Sequence, residues 1–189
     1  MNTPAHLVFG AAAFARPDVP RTALAALAGA FAPDVSIYLM TAVSIWGLGI
    51  PPQIVFRDLY YLDVWQQVFA IDNSFVFWGL ALVLAIRARA LPAIAFTGAA
   101  LLHLAFDFPL HTHDARMHFW PLTEWRFESP VSYWDDGAHA RLVEGTVLGA
   151  VVLLGVVIWR RFRTLAMRAT TALLVTMEAM ASGFWRFLL

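Results

Sequence analysis

The chain contains no cysteine and no lysine, and little charge of either sign. Without cysteine there can be no disulfide, thiolate metal site or cysteine nucleophile. All thirteen basic residues are arginine, and thirteen acids balance them. No net basic field therefore exists to hold nucleic acid, and no nucleic-acid partner is expected. Only 14% of residues are charged, against roughly 25% in a soluble domain. A glycine-rich phosphate loop, a G-x-S-x-G elbow and an H-E-x-x-H helix are also missing, which removes the commonest nucleotide, serine-hydrolase and zinc-protease signatures. With no internal repeat, low-complexity tract or linker, residues 1–189 read as one integral membrane domain.

What the sequence has in abundance is apolar surface. Sixty per cent of the 189 residues are hydrophobic, with fifteen Phe and eight Trp. Mean hydropathy is +0.66. A soluble chain this short has no core large enough to hide that much apolar surface, whereas lipid accepts it. A helix crosses the roughly 30 Å hydrocarbon layer with about 20 residues. Five stretches qualify, at 22–49, 70–87, 91–110, 141–159 and 166–186, and residues 4–15 form a shorter apolar helix packed against them. The expected fold is an all-α polytopic transmembrane bundle of five full spans plus that short helix. The N-terminal stretch Leu7 to Ala15 lacks the preceding positive charge of a secretory signal.

Arginine placement orients the spans. Arg16 and Arg21, Arg87 and Arg89, and Arg160, Arg161, Arg163 and Arg168 fall on one side if the helices alternate. Loops 50–69 and 111–140 are acidic and aromatic. The positive-inside rule puts the arginine-rich turns in the cytoplasm and both loops outside. Loop 111–140 carries Trp120, Trp125, Phe127, Tyr133 and Trp134 and reads as an interfacial cap over the helices.

Ionisable side chains inside apolar spans are costly and usually paired or functional. Three stretches carry them: Pro33-Asp34, where proline breaks or kinks the helix; Asp72-Asn73-Ser74, at the outer start of the 70–87 helix; and His103, Asp107 and His111, spaced by four on one helix face. His6 on the short helix is a further candidate. An outward-opening pocket would hold them all. Imidazole and carboxylate suit a divalent metal, zinc first, and a cation would offset the cost of burying Asp34 and Asp107 as anions. The plain alternative is buried ion pairs and hydrogen-bonded histidines that staple helices. His113 and His118 read as exposed or interfacial loop residues, His139 as surface, and Asp135-Asp136 as a solvated turn.

Taken in order, His6, Gly29-Ala30-Phe31-Ala32-Pro33-Asp34, Asp72-Asn73-Ser74, Leu102-His103-Leu104-Ala105-Phe106-Asp107 and His118-Phe119-Trp120-Pro121-Leu122 resemble the YdjM-like membrane-bound metal-dependent hydrolases of the bacterial inner membrane. That family's pattern is an early His, P-D-x-D-H, H-R-G-x-T-H-S, and H-x-x-x-D followed by W-P. The resemblance covers about residues 1–125; residues 126–189 are the end of the loop and two helices, and the helices after 140 match only in being apolar. Ser36, Ile37 and Asn73 stand where the pattern has Asp, His and His. The resemblance implies a metal site of His6, Asp34, His103 and Asp107 with His111 as an added ligand, Asp72 as the catalytic base, and Asn73 and Ser74 as supporting groups. The substrate it implies is a membrane lipid, with a phosphodiester as one candidate. The rival class is non-enzymatic: a membrane protein that binds metal or lipid, or an accessory subunit for another membrane protein. Transport has less support, because the sequence presents no paired half-helices or inverted repeat.

Overall fold

Proline opens three of the helices, where its missing N–H costs nothing: α1 (Thr3–Phe14), α4 (Pro52–Arg57) and α7 (Leu91–Asp107). The computed structural model describes residues 1–182, whose regular structure is helical and includes no strand. The remaining helices are α2 (Arg21–Phe31), α3 (Val35–Ala42), α5 (Asp63–Asp72), α6 (Phe75–Arg87), α8 (Ala140–Arg161) and α9 (Leu165–Ala181). Four segments are long and apolar enough to cross a membrane: Arg21–Gly47, Asp63–Arg87, Leu91–Leu110 and Ala140–Arg161. Their flanks expose Leu24, Trp46, Leu80, Leu142 and Leu153, a surface that suits acyl chains rather than water.

Among the described residues this is one fewer than the five expected. The last expected span becomes α9, whose 17 described residues fall short of a full crossing; residues 183–186 of that expectation lie outside the described residues. The expected loop 50–69 is also largely helical. It holds α4, a 3₁₀ turn at Leu59–Tyr61 and most of α5. Asp72 to Ser74 lies at a helix start as expected, that of α6, and is also an interruption inside the longer segment Asp63–Arg87.

The short α1 is the centre of the bundle and packs on α2, α7, α8 and α9. Small residues permit this. Ala5, Val8, Gly10 and Ala11 are buried, and a Cβ on Gly10 would lie 2.7 Å from that of Ala30 and 3.3 Å from that of Ala99. α2 and α7 approach still more closely, since a Cβ on Gly29 would overlap the Phe96 carbonyl.

Two segments are broken, and the breaks face each other. Pro33 converts Ala32–Asp34 to a 3₁₀ turn between α2 and α3. Asn73 and Ser74 separate α5 from α6, and the Ser74 hydroxyl caps α6 by accepting from the N–H groups of Val76 and Phe77. Across the gap, Asn73 Nδ2 donates to the Pro33 carbonyl at 3.1 Å, and Asp72 Oδ2 accepts from the Ser36 N–H at 3.2 Å. The side chains of the second break thus satisfy backbone groups at the first, as a low-dielectric setting demands.

Between His111 and α8 the chain has little regular structure. It packs over the end of α7 and the start of α6. The Phe75 N–H donates to the His118 carbonyl at 2.8 Å, and Phe108 stacks on Phe127 at 5.0 Å. His118, expected to be exposed or interfacial, is buried, and its Nδ1 donates to the Asn73 carbonyl at 3.0 Å. The aromatic neighbours Phe75 and Phe108 close over its ring, and the motif around it gave no sign of this. His113 and His139 are exposed as expected.

Candidate metal centre

α1 and the last turn of α7 bring His6, His103 and Asp107 together. Their ligand atoms all lie within 4.8 Å of one another, and all three are buried. The His6 and His103 rings stack at 3.5 Å and 8°. His6 Nε2 meets Asp107 Oδ1 at 2.9 Å, and the amino group of Met1 also pairs with that oxygen. On the other carboxylate oxygen, Asp107 Oδ2 faces His103 Nε2 at 3.1 Å and His111 Nε2 at 3.4 Å. Asp34, released from helical geometry by Pro33, puts Oδ1 3.6 Å from His103 Nε2. Its other oxygen accepts from the Thr3 hydroxyl at 2.6 Å.

Which ring nitrogens carry protons follows from their other partners. His103 Nδ1 lies 2.7 Å from the Ala30 carbonyl, which only accepts, so Nδ1 is the protonated nitrogen. His111 Nδ1 lies 2.8 Å from Asp114 Oδ2. Burial alone would raise the Asp114 carboxyl, but its hydrogen bond to His111, with the charges of His111 and Arg116, holds it below the usual carboxylate range. It is an anion, and His111 Nδ1 is the donor. In their neutral forms both histidines then present lone pairs on Nε2 toward the oxygens of Asp107 and, for His103, of Asp34. His103 Nε2 is buried without a hydrogen-bond partner. Acceptors facing acceptors repel unless a cation lies between them. Two cations satisfy the arrangement: a second proton on each ring, or a metal ion. The supporting bonds are the kind that orient metal-binding histidines, one to a backbone carbonyl and one to a carboxylate. Zinc takes nitrogen and oxygen donors at about 2.0–2.2 Å, so donors across one ion stand at most about 4.4 Å apart, close to what these side chains already show. The residues fit a divalent ion.

The structure thus brings together His6, Asp34, His103, Asp107 and His111. It does not bring Asp72 to them. That carboxylate is engaged by Ser36, and Asp72 does not line the cavity beside the cluster. Asn73 does line the cavity, while Ser74 serves the α6 cap and the Trp120 carbonyl. The cavity has a volume of about 320 Å³ and is bounded by Asp34, Asp107, His111, Arg116, Tyr38 and Tyr133.

Sequence reasoning missed Asp114, whose i, i+3 spacing from His111 was legible. It also missed Arg116, Tyr60 and the buried Glu178. Glu178 is the one acid of the largely apolar α9, and it accepts from Asn2 Nδ2 at 3.1 Å. That lone acid in an apolar stretch was a usable signal.

The fold and the cluster define an all-helical chain with membrane-length helices and a buried group of histidines and carboxylates able to hold a metal ion. No family model, curated protein or solved structure matches the chain.

Proposed function

We propose that this protein is a membrane-embedded, metal-dependent hydrolase of the kind its sequence motifs resemble. A divalent ion, zinc by donor chemistry, is held by His6, His103 and Asp107, with His111 completing the set and Asp34 left as the free carboxylate beside it. One observation carries the reading: His6, His103 and Asp107 put ligand atoms within 4.8 Å of one another in the buried interior, Asp34 and His111 lie beside them, and His103 Nε2 has no hydrogen-bond partner. When bound, such an ion supplies Lewis acidity to a hydrolytic reaction.

The chain's own groups supply the rest. Asp34 is the carboxylate that is partly accessible and borders the cavity. It takes over the base role that the motif order gave to Asp72. Its Oδ1 accepts the proton of an attacking water, while the Thr3 hydroxyl fixes the carboxylate through Oδ2. Asp114 and the Ala30 carbonyl hold the two imidazoles in register. Asn73, through Pro33, holds the turn that carries Asp34.

The arginine-rich turns lie on the cytoplasmic side of a bacterial inner membrane. The loop after His111 caps the site on the outside, and the substrate arrives from the lipid.

Elemental analysis of the purified protein tests the metal. About one equivalent of a transition metal in the unmodified chain, lost in His103→Ala, supports the reading. A protein that takes up no metal on zinc dialysis refutes it and leaves the doubly protonated, helix-stapling cluster.

A further inference from the structure

Arg116 is the one buried guanidinium among the described residues, and nothing in the metal reading employs it. Its Nη2 donates to the Tyr60 hydroxyl at 2.6 Å. Its guanidinium carbon lies 4.4 Å from the Phe69 ring centre and 4.9 Å from that of Tyr60. Burial pushes the Tyr60 phenol up to about 12, so it stays protonated and offers the arginine a neutral oxygen. Nη1 is buried with no hydrogen-bond partner. Arg116 makes no ion pair with a carboxylate among the described residues, although Asp114 feels its charge. A buried cation with no hydrogen-bonded anion is costly, and this one borders the same cavity as Asp34, Asp107 and His111.

A ligand in that cavity meets the cation of the metal centre on one wall and a rigid guanidinium on another. A neutral ester or amide presents a single carbonyl oxygen and leaves Nη1 unpaired. A phosphoryl group presents several terminal oxygens in a tetrahedron. Some can face the ion while another receives N–H bonds from arginine, whose planar fork matches phosphate geometry. The cavity, about 320 Å³, is roughly ten times the ~30 Å³ share of one liquid water. That is room for a phosphoryl group and the start of its ester, not for a whole phospholipid.

We propose that Arg116 is the anion-binding arm of this site and that the substrate group it receives is a phosphoryl group. This deepens the hydrolase reading and rests on it for the role of the second wall. The tyrosine and phenylalanine rings fix the guanidinium plane in advance, so little ordering is needed when the anion arrives.

The test is calorimetric titration of inorganic phosphate into the full chain in phosphatidylcholine nanodiscs, zinc-loaded and metal-free, for the unmodified protein, Arg116→Met and Arg116→Lys. Phosphate binding should weaken at least about tenfold in Arg116→Met, the loss expected for a hydrogen bond to a charged group. It should weaken less in Arg116→Lys, which keeps the charge and loses the fork. Zinc content should be equal in all three. Unchanged phosphate affinity in Arg116→Met overturns the proposal, as does tighter binding of acetate than of phosphate. If Arg116→Met does not fold, Arg116→Lys decides, and unmodified affinity there overturns it. If the protein takes up no zinc, the hydrolase reading fails separately. The metal-free titration then rules: an Arg116-dependent phosphate affinity sustains the arm, and no phosphate binding overturns it. Repeating the titration with phosphatidic acid in the disc separates the sources. Competition with phosphate marks a lipid headgroup, and independence marks a soluble phosphate ester.

Discussion

Asp114→Asn is the substitution that best separates a metal centre from a cluster of protonated histidines. Asp114 accepts from His111 Nδ1 at 2.8 Å, and His111 Nε2 stands 3.4 Å from Asp107 Oδ2. The amide has nearly the same shape and keeps an acceptor for Nδ1, but it removes the negative charge that makes His111 a better donor to a cation. Partners of this kind are worth about 10–100-fold in metal affinity, equivalent to about 1.4–2.8 kcal/mol. Competition against a chromophoric zinc chelator, in detergent at pH 7.5, reads the change directly. Zinc affinity should fall within that range while the helical circular dichroism is unchanged. Affinity within twofold of the unmodified protein would refute the claim that Asp114 orients a ligand, and with it the place of His111 in the set. Affinity abolished together with the helical signal would mean that Asp114 is chiefly a structural anchor for the loop.

Other consequences follow from particular contacts. Gly29→Ala drives a methyl into the Phe96 carbonyl; overpacking of this kind costs about 1–3 kcal/mol, and thermal unfolding in detergent should show it, whereas Gly79→Ala, with open space around it, should change little. Burial lowers His118 from its ordinary 6.5 to about 4. The stability that depends on its neutral form is therefore complete above pH 6.5 and is lost as pH falls through 4, by about 3 kcal/mol at full protonation; the melting temperature of His118→Gln should fall less between pH 7 and pH 4, and parallel losses in both proteins would contradict this. The chain has no native cysteine, so single-cysteine variants report topology without background. With the proposed orientation, a membrane-impermeant maleimide applied from outside should label Asp136→Cys and spare Arg89→Cys, and the reverse labelling would invert the orientation.

The helical class and the core of the site were legible because both rest on short-range rules. Apolar length alone marked the membrane segments, and spacing by four put His103, Asp107 and His111 on one face. Pro33 marked the break that frees Asp34. The residues misjudged were those whose surroundings come from distant segments. Asp72 reads as a spare carboxylate until Ser36, 36 residues away, is found to occupy it. His118 reads as a loop residue until Phe75 and Phe108 close over it. Arg116 reads as one charge in an acidic loop until Tyr60 and Phe69 bury it. Hydropathy also took 50–69 for a loop because the polar residues Asp63, Gln66 and Gln67 masked the amphipathic α5. The two facing breaks, a geometry that sequence order alone did not reveal, arise from side-chain to backbone bonds that leave no periodic trace.

The central position of α1 has a consequence for assembly. At about 1.5 Å of rise per residue, its 12 residues extend only about 18 Å, well short of the hydrocarbon layer. Yet it is made first, and two of the four helices that enclose it, α8 and α9, are made last. His6 waits for Asp107, 101 residues downstream, before its ring has a partner. During synthesis α1 must therefore rest at the bilayer surface or against α2 alone, with a polar imidazole unsatisfied. The histidine–carboxylate cluster therefore waits for α7, and closure of the bundle around α1 waits longer still, for α8 and α9. A nascent chain halted before α7 has neither a packed centre nor the cluster, and one halted before α8 has the cluster's residues but an open bundle.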